Sequence, residues 1–142
     1  MGSTMEPPKS VLAVIEDLFF LVKVKDAATK AGLEIQFAKS PEAAVEKAHA
    51  IQPVLIVVDL NATALQPLET IRSLKSAGSS NILAFVSHVQ VDLKRQGQEA
   101  GADRVIARSA FSEKLNGVMS EAAATRDNEA ECGIATGSPP DS

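Results

Sequence analysis

The chain of 142 residues contains no tryptophan, no tyrosine and one cysteine. The lone Cys132 excludes an intrachain disulfide and leaves no cysteine cluster for a structural metal. Aromatics make up 4% of the residues, which offers little to stack a flavin. Positive charge is not in excess either. Fourteen Lys and Arg against 18 Asp and Glu give a formal net charge of −4, so no nucleic acid and no membrane surface is expected as a partner. No stretch reaches the ~18 consecutive apolar residues of a membrane span. Met1 to Pro8 lacks the charged-then-apolar order of a secretion signal, which makes a reducing, cytoplasmic setting the default expectation. Gly-rich phosphate loops and Cys/His metal spacings are also missing.

What is present is material for one core. With 45% hydrophobic and 23% charged residues, the composition is that of one ordinary globular domain. The expected organisation is a flexible leader over 1–8, a folded domain over 9–124 and a disordered tail over 125–142, where residues turn charged, small or Pro/Gly-rich. The chain after the last helix is too short for an output domain, so any signal is expected to pass to another protein.

Five apolar segments alternate with helical patterns. Val11 to Ile15 precedes an amphipathic helix carrying Phe20, Val24, Ala27, Ala28 and Ala31 on one side and closed by Gly32. Leu33, Ile35 and Phe37 alternate with Glu34 and Gln36 as in a half-covered edge strand. Ser40-Pro41 opens a second helix with a stripe of Ala44, Ala48 and Ile51, ended by Pro53. The run from Val54 to Val58 has no polar alternation and suits a strand covered on both faces. A helix led by Pro67 turns Leu68, Ile71 and Leu74 inward. Ile82 to Val86 predicts a fourth strand. The next helix, Val89 to Ala100, has a thin apolar face interrupted by Gly97. Val105 to Ala107 forms a short fifth strand ending on Arg108, and one last helix places Phe111, Leu115, Val118, Met119 and Ala122 on one face.

This alternation, with right-handed crossovers, predicts an α/β doubly wound five-stranded parallel sheet of the flavodoxin-like order 2-1-3-4-5, with helices on both faces. Ligands of such sheets bind beyond the carboxyl ends of the strands. There the sequence sets Glu16 with Asp17 after strand one, Asp59 after strand three, Ser87 after strand four and Arg108 after strand five. Each has a plain structural alternative. Asp59 can cap the following turn, Glu16 can cap the first helix, and Arg108 can form a fixed salt bridge with Asp59 or Glu16. Ser87-His88 with Asp59 does not make a hydrolase triad, because adjacent strand residues point to opposite faces and no Gly-x-Ser-x-Gly surrounds the serine. His49 falls among Glu46 and Lys47 on a solvated helix face.

From Lys9 to Ala124 this ordered set resembles the receiver domains of two-component response regulators. Those carry an acidic pair after strand one, a phosphoacceptor Asp after strand three, a Ser or Thr after strand four and a Lys after strand five. The resemblance implies phosphorelay signal transduction, with Asp59 as phosphoacceptor. It implies Mg²⁺ held by Glu16, Asp59 and the backbone carbonyl of Asn61, with Ser87 and Arg108 contacting the phosphoryl oxygens. It further implies a histidine kinase or phosphotransfer protein as partner, and a downstream protein met through the face of helix four and strand five. No independent enzyme is implied beyond autocatalysed phosphoryl transfer to Asp59.

Departures from the pattern are specific. The spacing to Gly32 puts Glu16 at the second acidic position and Ile15 at the first; a shift of one residue would restore a pair as Glu16 and Asp17. Arg108 replaces Lys, a planar fork in place of a compact ammonium. Ser109, Leu60-Asn61-Ala62-Thr63, Pro67 and Val105 also differ from the family's usual residues. The alternative function is therefore a phosphorylation-independent pseudo-receiver that serves as a protein interaction module.

Overall fold

Five short strands pair in parallel with their neighbours, and the inner three are buried throughout because helices cover both faces of the sheet. The computed structural model describes residues 9–79, 81–87 and 91–124. The expected leader, the expected tail, His88, and Val89 and Gln90, the expected start of the fourth helix, lie outside the described residues. The strands are β1 (Ser10–Val14), β2 (Glu34–Phe37), β3 (Leu55–Asp59), β4 (Ile82–Val86) and β5 (Arg104–Ala107), in the order β2-β1-β3-β4-β5. The helices are α1 (Leu18–Lys30), α2 (Pro41–Ile51), α3 (Pro67–Ser76), α4 (Val91–Ala100), α5 (Arg108–Glu113) and α6 (Leu115–Ala124). This is the doubly wound sheet expected from the sequence.

Strand alternation divides the core in two. Val11, Ala13, Leu55, Val57, Leu83 and Phe85 face α1, α5 and α6, where Phe20, Val24, Phe111 and Met119 meet them. Leu12, Val14, Ile56, Val58, Ile82 and Ala84 face the other way, toward Ala44, Ala48, Ile71 and Leu74. The caps follow local chemistry. Ser40 Oγ accepts the Ala43 N–H at 3.0 Å at the start of α2, with Pro41 following it. Among the described residues no helix is long and apolar enough to cross a membrane.

Four details differ from the sequence reading. Phe37 stays exposed at the end of edge strand β2, where only one neighbour, β1, covers it. Arg108 is the first residue of α5 rather than the end of a strand, and the last helix is two helices broken at Lys114. The apolar stripe survives that break, with Phe111, Leu115, Val118 and Met119 all buried. Gly97 does not weaken α4 but seats it. A Cβ there would stand 2.8 Å from Leu60 Cδ1 and 3.4 Å from Val105 Cγ2, so a bare backbone is what lets the helix lie against the sheet.

Candidate functional site

The carboxyl ends of β1, β3 and β4 and the start of α5 converge on Asp59. As the last residue of β3 and two positions beyond Val57, Asp59 shares the face packed by α1 and α5. Its partner in register on β4 is Phe85. On the other flank Val14, the last residue of β1, pairs with Val58, and Ile15 after it is buried in the core on the α1 face. Asp59 is thus 6% exposed, beside the fully buried Phe85.

A chain of hydrogen bonds fixes the loop after β3. Asn61 N–H donates to Asp59 Oδ1 at 2.9 Å, and Ser87 N–H donates to Asn61 Oδ1 at 2.6 Å. Leu60 N–H donates to the Phe85 carbonyl at 3.0 Å, and Ala62 N–H to the Asp59 carbonyl at 3.1 Å. Asn61 therefore ties Asp59 to the end of β4. Its side chain has a part that strand patterns do not announce, since it bonds a backbone group 26 residues away.

The acidic residues after β1 separate. Glu16 is exposed, whereas Asp17 is the N-cap of α1, its Oδ1 accepting the N–H groups of Phe19 at 2.9 Å and Phe20 at 3.3 Å. Its Oδ2 accepts from Arg108 Nη2 at 2.6 Å. Two expectations are corrected here: the helix cap is Asp17 and not Glu16, and the ion pair of Arg108 is with Asp17, not with Asp59 or Glu16. The reason is placement. Capping turns the Asp17 carboxylate toward α5, while Asp59 is sunk in the sheet with one oxygen already bonded. The guanidinium carbon of Arg108 also lies 4.6 Å from the ring centre of Phe20, a cation–π distance. Phe20 in turn packs on Phe85 at 5.0 Å and Phe111 at 5.8 Å between ring centres.

The charges push the two aspartates in opposite directions. The hydrogen bond from Arg108, with the capped N–H of Phe20, holds the Asp17 carboxyl below its ordinary value. Burial pushes the Asp59 carboxyl up, against the pull of the Asn61 N–H and the Arg108 charge, and the nearby charges of Asp17 and Glu16 add to the rise. The charges of Glu16, Asp17 and Arg108 thus all act on Asp59, with Asn61 bonded to it and Ser87 bonded to Asn61.

The donor set for Mg²⁺ is thin. Among the described residues no group of three or more His, Cys, Asp or Glu side chains is placed to hold a metal ion. Ile15 brings no oxygen, Asp17 is spent on its helix and on Arg108, and only Glu16, Asp59 and backbone near Asn61 are left, short of the octahedral oxygen shell the ion demands. The residues therefore do not fit the metal that the resemblance implies.

No family model matches the chain, and no curated protein matches it. Solved structures do, and they define the class: the chain has the fold of response-regulator receiver domains, at low sequence identity. A response regulator from Thermotoga maritima is 21% identical with a TM-score of 0.67, the match covering 84% of this chain and 100% of that one. One from Hahella chejuensis is 16% identical with a TM-score of 0.71, over 82% and 96% of the two chains. One from Burkholderia pseudomallei, with a phosphorylated aspartic acid, a calcium ion and citrate, is 21% identical with a TM-score of 0.67, over 91% and 75%.

Proposed function

We propose that the chain is a receiver-like signalling module that works by protein contact, as a pseudo-receiver whose Asp59 pocket is held in one charge-paired state. The observation that carries this reading is the engagement of Arg108. The side chain that would hold a phosphoryl group is bonded to Asp17 at 2.6 Å and laid on Phe20, while the residue directly before Glu16 is the buried, apolar Ile15, which offers no second carboxylate. Phosphoryl transfer to Asp59 would have to break that ion pair without a metal to offset the acceptor's charge.

The contact surface in this reading is the first turn and a half of α1. Leu18, Phe19 and Val22 are 71%, 88% and 66% exposed, adjacent on the helix and next to the pocket. The outward side of α4 is by contrast charged, with Val91 its one exposed large apolar residue among those described. A partner of the histidine kinase or phosphotransfer class, or a downstream protein, would meet the apolar patch on α1.

A second reading keeps Asp59 as a phosphoacceptor. It is favoured by the burial of Asp59 at a strand end, with Ser87 and Arg108 at the same rim. One experiment separates the two. Incubation with a small phosphodonor and Mg²⁺, beside an ordinary receiver as control, is followed by intact mass. An unchanged mass supports the pseudo-receiver. Gain of one phosphoryl group in the wild type but not in Asp59→Asn overturns it.

A further inference from the structure

Resting on the reading of α1 as the contact surface, we propose that this surface seats a second copy of the chain, with the two α1 helices antiparallel across a two-fold axis. Five large apolar side chains are exposed among the described residues, and four of them lie on the α1 side of the sheet. Leu18, Phe19 and Val22 are on the helix itself. Phe37 ends edge strand β2 on the sheet face that α1 covers, the face of its register partner Ala13. Apolar surface collected on one side marks an interaction site, where single scattered residues would not.

The charges around the patch select the occupant. From Glu16 to Lys30 three carboxylates and three ammonium groups cancel, so two copies meet here without local repulsion despite a net charge of −4 on each. Asp17 is bonded to Arg108, Asp26 to Lys30 at 3.1 Å, and Lys23 Nζ donates to Ser112 Oγ at 3.5 Å. Glu16 and Lys25, both exposed, have no such side-chain partner among the described residues. An antiparallel pair that sets Phe19 on the second copy's Val22 answers both. Three positions further out on each helix, Lys25 comes to the second copy's Glu16, and the two-fold axis makes the same contact twice. A parallel pair would instead set lysine beside lysine and glutamate beside glutamate. A protein of another kind would fit the apolar residues alone, and would reach them by competing with the pair. A single helix stripe is a small contact, and small contacts are weak and transient, so the pair is expected to form reversibly with concentration.

The test is sedimentation velocity of the full chain over a concentration series from about 1 μM to about 1 mM, with amide NMR at the two ends of the series to locate the contact. Wild type is expected to pass from monomer to dimer, with shifts confined to residues 16–26 and the surroundings of Phe37. Glu16→Lys and Lys25→Glu are each expected to weaken the pair about tenfold or more, and the double charge swap to restore it. Phe19→Ser is expected to abolish it, and Val22→Lys serves should the serine variant fail to fold. A monomer throughout, a dimer indifferent to these variants, or single swaps that the double swap does not rescue would overturn the inference. Capture of a heterologous partner tests the α1 surface separately, and phosphodonor labelling the pseudo-receiver reading, so each idea can fail while the others stand.

Discussion

Arg108 and Asp17, 91 positions apart in the chain, meet at 2.6 Å and bind the first turn of α5 to the first turn of α1. The two oxygens of Asp17 have separate tasks, one capping a helix and one accepting from the guanidinium, and they can be separated by substitution. Asp17→Ala loses both and is expected to cost about 1–2 kcal/mol. Asp17→Asn keeps a capping oxygen and loses only a pair that is about one-third exposed, so its cost should stay within ~1 kcal/mol. Urea unfolding of the two variants checks this. Equal losses would show that the cap and the ion pair do not act separately.

The raised pKa of Asp59 sets the sign of a pH effect. A carboxyl whose folded pKa lies above its ordinary value of 3.8 binds a proton more readily in the folded state. Stability therefore falls as pH rises from 3.8 through the raised value, and the penalty is constant above it. Asp59→Asn, which removes the charge and keeps a carbonyl for the Asn61 N–H, should melt higher than wild type near pH 7, by about 1 kcal/mol or more. The advantage should vanish below 3.8. Asp17 has the opposite sign: its lowered pKa means a contribution present above 3.8 and lost as pH falls through the lower value. Thermal melts of wild type and both variants from acid to neutral pH read the two limbs.

Gly97→Ala should destabilise by about 1–3 kcal/mol, the range for overpacking a core, even though alanine is the better helix former by ~1 kcal/mol. The methyl would meet Leu60 Cδ1, and Leu60 is itself buried. Leu60→Ala removes that obstacle at the cost of a cavity. The double variant should then be more stable than the sum of the two single losses implies. Strict additivity in the cycle would place the clash elsewhere.

Phe19→Ser should leave stability within about 0.5 kcal/mol of wild type, because the side chain is 88% exposed and the backbone N–H that Asp17 caps is retained. It should also weaken capture of the partner. Asp59→Asn should leave capture intact. Paired melts and binding measurements decide, and retained binding by Phe19→Ser would remove α1 as the contact surface.

Much of this architecture is written locally. Runs such as Leu55 to Val58 announce buried strands, Ser40-Pro41 announces a helix start, and the strand ends lead to Asp59, Ser87 and the neighbourhood of Arg108. What local patterns omit is set by contacts distant in sequence. Gly97 reads as a helix interruption until Leu60 is seen against it. The partner of Arg108 depends on where a helix cap turns a carboxylate, and Asp17 directly before Leu18 was the available signal. The break at Lys114 leaves the apolar spacing intact and so has no signature in periodicity. The family resemblance points to the backbone carbonyl of Asn61, yet its side chain is what reaches Ser87.

The cluster of Phe20, Phe85 and Phe111, with the Arg108 guanidinium over Phe20, gives the molecule a built-in optical reporter. Because the chain has no indole or phenol chromophore, its near-ultraviolet dichroism comes from five benzyl rings, and the other two, on Phe19 and Phe37, face solvent. Sharp vibronic bands in that spectrum therefore monitor the chamber beside Asp59 without any label, and a tryptophan introduced anywhere would fluoresce against a dark background.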